Sequence, residues 1–227
     1  YVRVRLWHNP VWVRDVYKDQ SKPLYSGLDD VIKTIGRAKA LGMAVNLDIH
    51  YSDFWADPGR QNPPAAWVGI KDLQTLKDSV YNYTFSILRK LDAKGLMPEM
   101  VQVGNEINCG MLITGLQSGF PGLNGCNNQW ANLGAVINSG IKAIRDASAN
   151  STVKPLVALH VADPKNLEWW FGKVTTDGGV TGFDVIGFSY YPLWHTNVSF
   201  SALPDLIAKM KSTYNKKVMI LETGYPW

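Results

Sequence analysis

Residues 73–106 read LQTLKDSVYNYTFSILRKLDAKGLMPEMVQVGNE, and this stretch decides the fold. Leu73, Leu76, Val80, Tyr83, Ile87 and Leu91 recur at intervals of three and four, the period of a helix with one buried stripe. The pattern ends before Gly95, and Lys94-Gly95-Leu96-Met97-Pro98 makes a short link. Residues 99–104 then read as a strand, which closes on Gly104-Asn105-Glu106. A helix, a short link, an apolar strand and a carboxylate at the strand's end form one unit of a parallel α/β fold.

The unit recurs in both directions. Strand-like runs fall at 2–7, 43–49, 155–161, 184–189 and 218–222. Helical stripes lie between them: Leu28, Val31, Ile32, Ile35 and Ala38; Leu133, Val136, Ile137, Ile141 and Ile144; Leu203, Leu206, Ile207 and Met210. A weaker helix is expected over 165–175. Strict alternation calls for parallel strands with helical crossovers. Links from helix to strand are short, whereas those from strand to helix, such as 50–67 and 105–129, are long and rich in Trp, Asp, Asn, Gly and Pro. Long loops on the C-terminal side of parallel strands are where such folds place their sites. The expected fold is α/β, a (β/α)8 TIM barrel cut to about six β/α units, with residues 1–227 as one catalytic domain. Because the chain opens on a strand and stops four residues after another, both ends are expected to be cut.

The chain has 227 residues, enough for one sizeable core. The charge is 23 − 19 = +4 with no basic block, so nucleic acid is not an expected partner. No apolar run approaches the roughly 20 residues of a membrane helix. Cys109 and Cys126 admit two readings, a disulfide or two buried thiols, and a cysteine-built zinc site is excluded by the absence of any C-x-x-C. Three sequons, at Asn82, Asn150 and Asn197, lean towards a secreted protein. The nine tryptophans are unusual. Trp12, Trp55, Trp67, Trp130, Trp194 and Trp227 all follow strands, which suggests the walls of an extended sugar cleft.

Two strands end in carboxylates, Glu106 and Glu222. Across a barrel mouth, such a pair is the minimum for glycoside hydrolysis, one as proton donor and one as nucleophile. Other polar residues share the same rim: Asp48 and His50, His160 and Asp163, and Tyr190-Tyr191, with Arg5 inside the first strand on the same wall as Arg3 and Trp7. Asp48, His50 and His160 could hold a metal, but they lack the i, i+4 spacing of common zinc motifs, so hydrogen-bonding roles are preferred. No phosphate loop and no Gly-x-Ser-x-Gly elbow occurs, which disfavours nucleotide binding and serine hydrolysis.

Val101-Gln102-Val103-Gly104-Asn105-Glu106-Ile107, the loop Leu47-Asp48-Ile49-His50-Tyr51-Ser52-Asp53-Phe54-Trp55-Ala56-Asp57-Pro58, and Leu221-Glu222-Thr223-Gly224-Tyr225-Pro226-Trp227 resemble the family 53 glycoside hydrolases. Val4-Arg5-Leu6-Trp7-His8-Asn9-Pro10 is similar to that family's second strand and Phe188-Ser189-Tyr190-Tyr191-Pro192 to its sixth. The resemblance implies a secreted, retaining endo-β-1,4-galactanase of clan A, a monomer acting on galactan side chains of pectin without a cofactor. It implies Glu106 as acid/base and Glu222 as nucleophile. Asn105 would bond the sugar 2-hydroxyl, Arg5 would keep Glu222 ionised and Tyr190 would orient it. Asp48, His50, Trp55, His160 and Asp163 would line the cleft. It also implies that the chain runs from barrel strand two to just past strand seven. The alternatives are a related clan member cutting mannan or glucan, or a non-catalytic sugar-binding relic.

Overall fold

The computed structural model describes residues 1–113 and 119–224. Six strands, β1 (Val2–Leu6), β2 (Val45–Ile49), β3 (Met100–Val103), β4 (Leu156–Ala162), β5 (Val185–Tyr190) and β6 (Lys217–Thr223), form one sheet in chain order. Every neighbouring pair is parallel. The crossovers are α2 (Leu28–Ala40), α3 (Leu73–Asp92), α4 (Trp130–Ser148), α5 (Leu167–Thr176) and α6 (Leu203–Tyr214). The short α1 (Trp12–Tyr17) was not expected, since six residues carry too little periodicity to read.

α3 shows how sequence sets an element. The Asp72 side chain caps it by accepting the Thr75 N–H at 2.8 Å, worth about 1 kcal/mol. Leu76, Val80, Thr84, Ile87, Leu88 and Leu91 form its buried face, and α4 supplies the facing stripe of Leu133, Val136, Ile137, Ile141 and Ile144.

The sheet curls, so each strand has an inner and an outer face. Val4, Leu6, Val45, Leu47, Ile49, Val101, Val103, Val157, Leu159, Val161, Ile186 and Phe188 join the helices in the main core. The inner face is layered. Met100, Ala158 and Val185 form a separate apolar cluster with Leu156, Met219 and Leu221 packed against it. Towards the C-terminal ends the inward positions turn polar: Arg5, Asp48, Gln102, His160 and Ser189, and the long side chain of Arg3, second in β1, reaches the same layer.

Alternation has one break. Phe188 pairs with Ile220 but Ser189 pairs with Glu222, so β6 carries an extra residue, Leu221. Strict period two from Met219 would send Glu222 to the helix side. The bulge turns it inward beside Ser189. Gly187 makes room there, since a Cβ on it would lie 2.2 Å from Leu221 Cδ1 and 2.9 Å from the Leu159 carbonyl.

β1 and β6 are the outer strands, and among the described residues no backbone pairing joins them. Side chains bridge them instead: Arg3 of β1 reaches Glu222 of β6 at 2.7 Å. A cavity of about 570 Å³ lies between them, with α2 on its far side. No helix among the described residues is long and apolar enough to cross a membrane.

Candidate active site

Glu106 follows β3 through a left-handed turn. Gly104 has φ +80°, and a Cβ there would lie 2.6 Å from Ile107 Cγ2. Glu106 itself has φ +48°, a conformation disfavoured for a residue with a side chain. The turn is held from several sides. Ile107 N donates to the His160 carbonyl, and Gln61 Nε2 donates to the carbonyls of Asn105 and Glu106 at 2.8 and 3.2 Å. Trp170 Nε1 donates to Ile107 O at 2.9 Å. A disulfide joins Cys109 to Cys126 in the loop that follows, which decides between the two readings of these cysteines.

Arg3 organises the floor. Its guanidinium pairs with Glu222 Oε2 at 2.7 Å and Asp48 Oδ2 at 2.9 Å, and it donates to Gln102 Oε1 at 3.1 Å and to Asn105 Oδ1. Asp48 is fully buried. Burial pushes its carboxyl up, but the Arg3 charge and the hydrogen bond from His50 outweigh this and hold it below the usual carboxylate range. His50 Nδ1 accepts the Ala56 N–H at 3.0 Å, so its proton sits on Nε2 and is donated to Asp48 at 2.8 Å. His160 is also fully buried, and burial followed by the Arg3 charge keeps it neutral.

The two glutamates sit in different surroundings. Glu222 accepts from Arg3 on Oε2 and from the Tyr191 hydroxyl on Oε1. The Tyr191 hydroxyl is held protonated by burial and by the Glu222 charge. Glu106 is pushed up to about 7, chiefly by burial, with Glu222 adding to the rise and the Ser189 hydroxyl opposing it.

Several expected placements need correction. Arg5 lies within electrostatic range of Glu222 but does not pair with it directly. Its guanidinium lies over the Trp55 ring at 3.8 Å and the Trp7 ring at 4.7 Å, and the ion pair belongs to Arg3, two residues earlier on the same face. Tyr190 does not orient Glu222. It falls on the outer face of β5 with its hydroxyl 3.4 Å from the Val198 carbonyl, while Tyr191, past the strand's end, turns inward. Asp163 is buried and its carboxylate is engaged locally, accepting the Lys165 N–H and pairing with Lys165 Nζ at 3.0 Å. Asp48, His50 and His160 do not line an open cleft but lie buried beneath it. Asn105 is buried too, with its Nδ2 on the Ala56 carbonyl at 2.7 Å. Trp55 and Trp194 are exposed and Trp12 half-buried, but Trp67 and Trp130 are core residues, packed edge-on against Tyr83 and Trp170. Trp227 lies outside the described residues. Among the described residues no group of three or more His, Cys, Asp or Glu side chains could hold a metal ion.

Sequence reasoning missed Arg3, Gln61, Gln102 and Ser189 as site residues, and it placed Tyr191 at the rim beside Tyr190 without a role. Gln102 and Ser189 carried a signal, since each is polar within a strand that is otherwise apolar or aromatic.

A parallel half-barrel with two carboxylates at its C-terminal rim, one held up near neutrality and one clamped by arginine and tyrosine, is the layout of barrel glycoside hydrolases. The chain belongs to glycosyl hydrolase family 53, whose model matches residues 1–227. It is 47% identical to an arabinogalactan endo-beta-1,4-galactanase of Cellvibrio japonicus, an alignment spanning all of this chain and 56% of that protein. A fungal beta-1,4-galactanase structure superposes with a TM-score of 0.83 at 34% identity, covering 99% of this chain and 62% of that one. The family 53 catalytic domain of Ignisphaera aggregans gives 0.81 at 30% identity, covering 100% and 58%. The chain thus spans about half to three-fifths of the length of these relatives.

Proposed function

We propose that the protein is a secreted, retaining endo-β-1,4-galactanase that cuts galactan side chains of pectin as a monomer and without a cofactor. The difference in surroundings between the two glutamates carries this reading. A general acid must hold its proton near the working pH, and Glu106, at about 7, meets that requirement. A nucleophile must be oriented, and Glu222 is gripped through both oxygens by Arg3 and Tyr191.

In the first step Glu106 protonates the glycosidic oxygen while a Glu222 oxygen attacks the anomeric carbon. The C–O bond breaks towards the leaving sugar, and a glycosyl-enzyme ester forms. In the second step Glu106, now a carboxylate, takes a proton from water, whose oxygen displaces Glu222. The remaining amide hydrogen of Asn105 is the one available for a sugar hydroxyl. Trp55, backed by Arg5, and Trp194 offer exposed apolar faces for sugar rings. The Cys109–Cys126 disulfide supports an oxidising compartment.

The test is reducing-sugar release by the full chain on purified β-1,4-galactan, β-mannan and cellulose, with the first-formed anomer followed by proton NMR. Release from galactan alone, as the β-anomer, is expected. Turnover of mannan or glucan in preference would reassign the substrate, initial α-anomer would exclude retention, and galactan binding without turnover would mark a sugar-binding relic.

A further inference from the structure

Ser189 is fully buried on the inner face of β5, in a run whose other residues are apolar, glycine or tyrosine. Its hydroxyl sits between two groups, donating to Glu106 Oε1 at 2.5 Å and lying 2.9 Å from His160 Nε2. The direction of the chain follows from His160. Its Nδ1 faces the backbone N–H of Glu106 at 3.3 Å. Gln102 Nε2 at 3.0 Å and Arg3 Nη2 at 3.4 Å are further donors facing the same Nδ1, against a single acceptor, Asn105 Oδ1 at 2.9 Å, which already takes a hydrogen bond from Arg3 and a second, at 3.4 Å, from Gln102 Nε2. Nδ1 is therefore the acceptor of a backbone donor that cannot rotate away, and the ring proton sits on Nε2, aimed at Ser189 Oγ. With that lone pair filled, the serine's own hydrogen goes to Glu106 Oε1.

We propose that Ser189, oriented by His160, is a positioning residue that ties up Oε1 of Glu106, so that the transferable proton is carried on Oε2 alone. The inference rests on the acid/base assignment of Glu106 above. The arrangement suits both halves of a double displacement. When Glu106 is neutral with its proton on Oε2, Oε1 is a carbonyl that accepts the serine hydrogen. When the Oε2–H bond has broken and the proton has gone to the glycosidic oxygen, Oε1 belongs to a carboxylate that accepts the same hydrogen more strongly. No group has to turn between the steps, which is the economy expected of a preorganised site. The other groups facing Glu106 are Glu222, Arg3, Asp57, Tyr191 and the neutral His160, and none of them donates to its side-chain oxygens among the described residues.

The test is Ser189→Ala in the full chain, with kcat/KM against pH on galactan and on an activated aryl β-galactobioside whose dinitrophenolate leaving group needs no proton. The wild type is expected to lose galactan turnover above about pH 7. Loss of a donor to the charged form raises the acid's pKa, so the alkaline limb of the variant moves up by about one pH unit. kcat on galactan falls about tenfold with KM unchanged, while glycosylation by the activated substrate holds. Ser189→Thr, which keeps a hydroxyl, restores the wild-type limb. An unmoved limb, or equal losses on both substrates, would leave Ser189 a packing residue and overturn the proposal. A wild type without that limb would instead overturn the role given to Glu106.

Discussion

Arg3→Met isolates what holds the floor of the site together. It removes a guanidinium that lies 2.9 Å from Asp48, whose side chain is 0% exposed, and 2.7 Å from Glu222, which is 27% exposed. Breaking a buried pair and stranding one charge costs about 3–5 kcal/mol. Asp48 keeps two donors, His50 Nε2 and Gln102 Nε2, each at 2.8 Å, which argues for the lower end, about 3 kcal/mol. For a chain of 227 residues that is a fall in Tm of roughly 6–12 °C. Arg5→Met is the internal control. It lies on the same strand and face but makes no ion pair among the described residues, so it loses its stacking on Trp7 and Trp55, about 1 kcal/mol, and only the longer-range attraction of Asp48 and Glu222. The assay is urea unfolding of wild type, Arg3→Met, Asp48→Asn, the double variant and Arg5→Met at pH 7. Arg3 and Asp48 should show a coupling of about 2 kcal/mol. The dependence on pH has a definite sign. The folded-state pKa of Asp48 lies below its unfolded value, so the contribution is present in full above the unfolded carboxylate range and is lost as pH falls through the folded value. Zero coupling, or an Arg5→Met cost equal to that of Arg3→Met, would refute the reasoning.

Glu222→Ala is expected to abolish galactan turnover, with added azide restoring part of it as an α-galactosyl azide; rescue of Glu106→Ala alone would reverse the two roles. In the wild type, the proton on Glu106 is present below about pH 7 and absent above it, so kcat/KM should fall on the alkaline side with that midpoint, and a flat profile to pH 9 would disagree. Cys109 and Cys126 are 17 positions apart, a closure worth about 3 kcal/mol, so reduction or Cys109→Ser should lower Tm by roughly 6–12 °C; an unchanged Tm would show that the loop holds without the bond.

The sequence by itself determined the periodic features. The three-and-four spacing of α3 and α4, and the apolar runs between, already specify parallel β/α units, because burial imposes the period of each element on its apolar residues. Glu106 and Glu222 were legible as a pair because a charged residue closing an apolar run lies at the rim of the sheet. What the sequence could not decide is which side of a strand a residue faces once alternation breaks. One extra residue at Leu221 turns Glu222 from the helix side to the inside, and that bulge leaves no local signature. The same limit explains the wrong neighbours. Arg3 and Arg5 share a face, and only the curl of the sheet, which brings β1 to β6, selects Arg3 for Glu222. Tyr190 and Tyr191 are adjacent, and only the end of β5 decides that the second turns inward. Ser189 is one hydroxyl in a strand until three neighbouring strands, β3, β4 and β5, bring it between His160 and Glu106. Local composition sets periods and rims. Contacts between strands far apart in the chain choose the partners, because they depend on register and curvature that no single segment contains.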